Sequence, residues 1–511
     1  MERASGRKRD RLSAICRAAA IMIAIAATCY WLSVLTHAYF SFLDGGQDLS
    51  VFAYNFWFNL HNAGLTHGLQ YISFGNHLSP DALAILLLYS IFPYSITLVY
   101  LQTIVICLSS LLVYYIAERM LGDPLVALAI SAAFLINPGI LGVLTFDFHL
   151  EFMIVPTYLL TFYFYMKSDS KLFAISLLLL LGTIEVAPLV ALSLGLGLLA
   201  YELSVANWKW ENIAKEKRIM VAAIILFSIV AGMLYYGAMS YLQSSYSASY
   251  QGLPDILKIN FGSQYGITTN VVSFLSSPVS FLSKNLSVYA NPLGLYILAL
   301  SVIVTLFGFG FFTLKRPLTT FLLILPWIIP ALLWSGNIHY LYTGFQYYAC
   351  TVGATIAAEI IGAMVVMRRD SKGKPTYNRT FVVASILLIA VMAMLASLFV
   401  SGKPITYLSP QTQYAGQLYS MMRLIPQNAS VMTQYTIFPH LADRQQIEFT
   451  WSEINRYGYF VPQYIILSYS NSSIYSNFQY DALNYTVSNY NYQLYAQDGN
   501  ARVYILDSQS G

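Results

Sequence analysis

The stretch SITLVYLQTIVICLSSLLVYYIA, residues 95–117, runs through 23 positions without a single charge. Roughly 20 apolar residues in a helix cross the hydrocarbon core of a bilayer, about 30 Å thick. Comparable runs recur at 14–36, 122–143, 151–167, 171–184, 187–203, 218–241, 292–314, 317–334, 342–367 and 379–400, which predicts 11 spans. The pair 171–184 and 187–203 is one apolar stretch divided at Glu185 and Pro188. Only 10% of the 511 residues are charged. A soluble domain carries about 25%, so most of this chain cannot face water. The expected fold class is an α-helical polytopic membrane protein. Residues 79–93 (SPDALAILLLYSIFP) are apolar but too short to cross, and suit a re-entrant or interfacial helix.

Basic residues predict the orientation. Segment 1–13, MERASGRKRDRLS, looks like the start of a signal peptide but no small-residue cleavage site follows, so 14–36 reads as an uncleaved first span. Counted loop by loop, 20 of the 27 Lys and Arg residues fall on the face that holds the N-terminus. Lys and Arg gather on the cytoplasmic side, so the protein is expected in the plasma membrane with its N-terminus inside and its C-terminus outside. All seven histidines then lie outside. Three regions are external: loops 37–94 and 242–290, and the tail 401–511. Short β-like runs in the tail (SVMTQYTIF, FVPQYIILSYS, RVYILD) point to a small α/β domain. Residues 204–217 (SVANWKWENIAKEK) read as a cytoplasmic interfacial helix. The four cysteines sit inside apolar runs, which argues against a disulfide framework or a Cys-x-x-Cys metal site.

Within this apolar chain, FDFHLEF (146–152) gathers three ionisable groups, Asp147, His149 and Glu151, between two spans. Asp48, His77, Glu185 and His339 fall on the same side of the membrane in this topology. A carboxylate placed in the membrane costs about 2.5–3.5 kcal/mol on insertion scales. Repeating that on one side suggests a polar cavity that opens outward. Simpler roles exist for each residue. Asp147 and Glu151 near a helix start complement its dipole, worth about 0.3–1 kcal/mol. Asp48 suits an N-cap, His77 a turn, and Glu185 a pair with a neighbouring helix. A helix over 147–151 would put Asp147 and Glu151 on one face, and His149 joins them only if the segment is extended. Asp147, His149 and Glu151 could hold a hard divalent cation such as Mg²⁺ or Mn²⁺, or do acid–base work. No GxxxxGK[ST], GxGxxG, HExxH or GxSxG motif is present, which argues against an ATP-driven pump or a Rossmann cofactor. The bilayer is the expected partner and nucleic acid is not.

DLSVFAYNFW (48–57), HLSP (77–80), FDFHLE (146–151), Glu185 and PHLADR (439–444) occur in that order. This ordered set resembles the archaeal and bacterial predicted membrane protein family known as domain of unknown function two thousand and seventy-nine. The resemblance covers about residue 40 to the C-terminus. Two departures stand out: the family usually has Gln at the position of Tyr54, and Lys-Glu-Asp where this chain has Ile184, Glu185 and Val186.

That family is similar to a distant branch of the C-type glycosyltransferases. These multispan enzymes carry a catalytic acid in the first external loop and take a sugar from a polyprenyl-phosphate carrier. The resemblance therefore implies Asp48 as the base, with Glu185 as a second catalytic acid. It implies that His77, Asp147, His149, Glu151 and His339 bind substrate, and that Asp147, His149 and Glu151 bind the carrier phosphate through Mg²⁺ or Mn²⁺ or position the acceptor. Two other readings stand beside it. A lipid or solute transporter tends to place its polar groups in broken helices at mid-membrane. A non-catalytic envelope protein would use its tail to bind a surface partner.

Overall fold

A computed structural model describes residues 2–43, 46–62, 73–74, 77–249, 276–290, 292, 294–295, 298–299, 315–333, 346–367, 378–401, 412–449, 461–469 and 474–507. The chain opens with the long helix α1 (Glu2–Phe40) and the shorter α2 (Gln47–Asn62). Two-residue strands β1 (Ser73–Phe74) and β2 (His77–Leu78) pair antiparallel. Then come α3 (Ala82–Tyr89), α4 (Ser95–Leu121), α5 (Pro124–Leu135), α6 (Pro138–Thr145), α7 (Ile154–Lys167), α8 (Ser170–Gly182), α9 (Ala187–Val205) and α10 (Lys215–Ser249). The membrane part continues with α11 (Pro278–Leu286), α12 (Pro317–Leu323), α13 (Leu325–Leu333), α14 (Ala349–Val366) and α15 (Arg379–Ser401).

Local chemistry sets these boundaries. Gly122 takes φ 64° and ends α4, a left-handed conformation that favours glycine. Asp123 then caps α5 by accepting from the Leu125 and Val126 amides, with Pro124 at the first helical position. Asn137 and Pro138 repeat the device one helix later, so the expected span 122–143 is two helices bent by 42°. Among the described residues, five helices are long and apolar enough to cross a membrane, or six if the bent pair is one span. Expected spans 151–167 and 171–184 contain helices of 14 and 13 residues. Each is roughly 20 Å long at 1.5 Å per residue, shorter than the hydrocarbon core. Expected span 317–334 divides at Ile324 into α12 and α13. Most of span 292–314 and of loop 242–290 lies outside the described residues. The short helix expected within 79–93 is α3. The helix expected over 204–217 is not continuous. Asn207 and Trp208 adopt φ 53° and 61°, which stops α9, and only the 3₁₀ turn Trp210–Asn212 precedes α10.

Small residues let these helices approach closely. A Cβ on Gly195 would collide with Ile224 of α10, and one on Gly197 with Leu323 of α12, so α9 is wedged between those two helices. Gly353 of α14 lies against the Tyr158 ring of α7 in the same way. Helix contacts in a membrane depend on such close packing, because lipid gives no hydrophobic drive between helices.

The tail is the expected small α/β domain. It contains α16 (Thr412–Met422), β3 (Val431–Thr433), β4 (Ile447–Phe449), β5 (Tyr464–Ser468), α17 (Ile474–Asn489), β6 (Tyr492–Asp498) and β7 (Ala501–Leu506). The sheet order is β4-β3-β5-β7-β6; β3 runs parallel to β4 and β5, and β7 antiparallel to β5 and β6. Side chains alternate across it. Tyr464 and Ile466 join Leu418 of α16 and the membrane helices in one continuous core, whereas Ile465 and Leu467 pack with Leu483 of α17 in a second. The tail is thus built into the helical bundle. It sits at one end of the bundle, the tail side.

Candidate active site

Asp48, which the sequence suits to an N-cap, lies in the first turn of α2. The same helix turns Phe52 inward, one turn later. Phe52 lies parallel to the His77 ring (6.1 Å, 15°), and edge-on to Phe148 (5.4 Å) and to His149 (5.1 Å). This apolar ring separates two ionisable side chains, His77 and His149, at fixed positions around it.

His149 belongs to the segment that separates α6 from α7. The chain leaves α6 extended at Phe146 (φ −87°, ψ 162°) and is still extended at His149 (φ −150°, ψ 144°), before a 3₁₀ turn at Leu150–Met153. A helical face for Asp147 and Glu151 is therefore not formed. Gln102 of α4 fixes this segment: its side-chain oxygen accepts from the His149 amide at 3.0 Å, and its nitrogen donates to the Val143 carbonyl at 2.9 Å. The same nitrogen is 3.5 Å from the Asp147 carbonyl. The His149 ring is turned between carboxylates, with Nδ1 in contact with Glu151 and Nε2 3.9 Å from Asp48.

His77 stands edge-on to His149, with ring centres 4.8 Å apart. Its Nδ1 is 2.6 Å from one oxygen of Glu185, and the Leu78 amide donates to the other at 3.2 Å. The Asp81 amide donates to the Gly182 carbonyl at 3.0 Å, which further fastens the HLSP loop to the α8–α9 turn. Glu185 is thus engaged in holding the loop that presents His77. Burial pushes the His77 imidazole down, but the Glu185 carboxylate outweighs it and the net direction is upward. Burial drives His149 well below its ordinary value, and the charge on His77 pushes the same way. Of the two rings, His77 is the one suited to carry the proton.

Exposure separates the members of the cluster. The side chains of His149, Glu151 and Glu185 are 4%, 3% and 4% exposed, whereas Asp48 is 24% exposed. Asp48 is therefore the acid an incoming molecule can reach. Asp147 is buried in the same segment. His339 lies outside the described residues. The expected metal trio of Asp147, His149 and Glu151 is not assembled: among the described residues no group of three His, Cys, Asp or Glu side chains is arranged to hold a metal ion.

The tail closes over this region. Ser95 donates to the Pro439 carbonyl at 2.6 Å, Tyr54 to that of Gln445 at 2.8 Å, and Ser50 to that of Tyr435 at 3.3 Å. Gly46, at φ 67°, lies so close to Tyr435 that a Cβ would collide with its carbonyl. Arg444 is spent within the tail, where it donates to the carbonyls of Leu441 (2.9 Å), Pro426 (3.3 Å) and Ala429 (3.4 Å).

The family model for "Predicted membrane protein (DUF2079)" matches residues 38–502, which include every group just described. The chain belongs to this family. No curated protein matches the DUF2079 chain. Among solved structures, it is similar to ArnT from Cupriavidus metallidurans bound to undecaprenyl phosphate, at 10% identity and a TM-score of 0.46, over 96% of this chain and 99% of that one. It is also similar to the apo oligosaccharyltransferase of Archaeoglobus fulgidus, at 13% identity and a TM-score of 0.43, over 87% of this chain and 69% of that one.

Proposed function

We propose that this DUF2079 protein is a glycosyltransferase that moves a sugar from a polyprenyl-phosphate carrier to an acceptor at the tail side of the membrane. The observation that carries this reading is the position of Asp48. It is the accessible acid of an otherwise buried cluster, in the first loop after α1, where C-type glycosyltransferases keep their catalytic acid. Asp48 takes the proton from an acceptor hydroxyl as its oxygen bonds to the sugar C1. The bond from C1 to the carrier phosphate breaks, and the electron pair leaves with polyprenyl phosphate. His149 orients Asp48, and Glu151 and Gln102 orient His149. His77, whose charged form the Glu185 carboxylate favours, is the group nearest to hand to receive the leaving phosphate. The described side chains form no metal cage, so no step is routed through Mg²⁺ or Mn²⁺.

The test uses purified protein in lipid nanodiscs, with polyprenyl-phosphate binding measured with and without Mg²⁺ or Mn²⁺. Wild type is expected to bind the carrier, His77→Ala to weaken binding by about tenfold, the equivalent of one charge-assisted contact, and Asp48→Asn, which removes a negative charge, not to weaken it. Equal binding by all three folded proteins would leave the cluster a packing feature and remove the transferase reading.

A further inference from the structure

Helix α1 presents a row of exposed apolar side chains along its length, with Met22 64%, Ile25 53% and Phe40 47% exposed. In a membrane protein such a face meets lipid. Towards the tail side the face becomes concave. Leu32, Ser33, Thr36, His37 and Phe40 of α1, with Tyr100 of α4, line an open cavity of about 520 Å³. Its chemistry is mixed in a definite way. Leu32 and Phe40 form apolar walls. Three hydroxyls and one imidazole occupy the rest, and Thr36 Oγ1 and the Tyr100 hydroxyl are 2.8 Å apart. No carboxylate is among the lining residues. The polar groups lie in the last turns of α1 and the first turns of α4, the level at which a bilayer passes from acyl chains to headgroups.

A concavity on a lipid-facing surface is filled by lipid. One with apolar walls, hydroxyls, an imidazole and no acid suits an anionic headgroup above an acyl chain; Thr36 donates to the Leu32 carbonyl at 2.5 Å, which leaves Ser33, His37 and Tyr100 to face the phosphate. We infer that this groove binds one anionic phospholipid, with its phosphate at Ser33, His37 and Tyr100 and its chain along Leu32 and Phe40. None of the lining residues belongs to the Asp48–His149 cluster, so the occupant is a resident lipid and not the reacting carrier. The groove nevertheless adjoins Tyr39, whose hydroxyl donates to the Pro439 carbonyl at 3.4 Å and whose ring lies 4.1 Å from that of His440. A lipid seated there braces the α1–α4 seam on which the tail is docked.

The experiment is native mass spectrometry of the full chain released from nanodiscs of phosphatidylcholine doped with phosphatidylglycerol. Wild type is expected to retain one phosphatidylglycerol in preference to phosphatidylcholine. His37→Leu and Tyr100→Phe are each expected to lower that retention about ten- to a hundredfold, the loss of one hydrogen bond to a charged group. Ser33→Trp, which fills the exposed lip without touching the core, is expected to lower it as much. Asp48→Asn is expected to retain the lipid as wild type does, which separates this site from the proposed transferase cluster. Wild-type retention by the three groove variants would overturn the assignment, and so would equal retention of the two phospholipids. Displacement of phosphatidylglycerol by undecaprenyl phosphate that Ser33→Trp abolishes would also overturn it, and would give the groove to the carrier.

Discussion

Two places on the tail side enclose a histidine, and they do so with opposite surroundings. His149 is set among Glu151, Asp48 and the His77–Glu185 pair. His440 is set among aromatic rings, with the centres of Tyr39, Phe42 and Tyr419 at 4.1, 4.3 and 5.6 Å. Its Nδ1 meets the Tyr419 hydroxyl at 3.1 Å. An aromatic surround favours the neutral ring and needs no charge nearby. It is what docking one domain on another requires, and it explains PHLADR as the tail's plug into the bundle. Gathering carboxylates around two imidazoles is costly to bury and does nothing for docking that aromatics would not do better. The difference teaches that packing accounts for the surroundings of His440 but not for the carboxylates gathered around Asp48 and His149.

The largest effect expected on this comparison is at Glu185. Glu185→Ala leaves His77 buried without its partner, and removing one member of a buried pair costs about 3–5 kcal/mol. Thermal unfolding in detergent should show a clearly lowered midpoint; an unchanged midpoint would mean that the pair does not hold the HLSP loop. Next comes the seam between the tail and α2. Gly46→Ala meets both a left-handed backbone and the Tyr435 carbonyl, at a cost of about 1–3 kcal/mol. Limited proteolysis should then release the tail sooner than in wild type, with the membrane helices intact.

The aromatic surround makes a pH prediction. Burial pushes His440 down to about 3, against a weaker upward pull from the Tyr39 backbone. The folded state therefore refuses a proton that the unfolded chain takes up near 6.5. Stability is fully present above that value and falls as pH drops towards 3, by about 1–2 kcal/mol at pH 5 after allowing for partial exposure. His440→Phe should flatten that part of the stability–pH curve. An unchanged slope would place the acid sensitivity elsewhere. The smallest effect is at Tyr54, where the family usually has Gln. Tyr54→Phe removes one hydrogen bond to Gln445, worth about 0.5–1.5 kcal/mol, and should shift the unfolding midpoint only slightly.

Much of this was legible from residue order. Charged residues are so sparse that FDFHLEF, HLSP and Glu185 stand out, and membrane topology alone puts them on one side. The extended path through His149 was legible only as a condition, because spacing cannot tell an extended Asp-x-His-x-Glu from a helical one. Phe52 and Gln102 were missed. A signal existed for each: Phe52 is four residues after Asp48 on one helix face, and Gln102 is an amide inside an apolar span that must find partners. Whether Asp147, His149 and Glu151 converge on one point was not legible either, because a sequence shows which ligands are available but not which way an imidazole turns. The docking of Pro439 and His440 on α1 and α4 joins residues more than 300 positions apart, which no local pattern carries. Segment 204–217 looked helical by composition, yet two consecutive left-handed residues interrupt it.

The most direct test of the central claim is turnover. Protein reconstituted with a radiolabelled sugar on a polyprenyl-phosphate carrier is followed for release of polyprenyl phosphate and labelling of an acceptor, in wild type, Asp48→Asn and His440→Phe. Loss of a general base lowers the rate by about 10²–10⁴-fold. The account predicts that loss for Asp48→Asn with an unaltered unfolding midpoint, while His440→Phe keeps most of the wild-type rate. Equal rates for wild type and Asp48→Asn would contradict it.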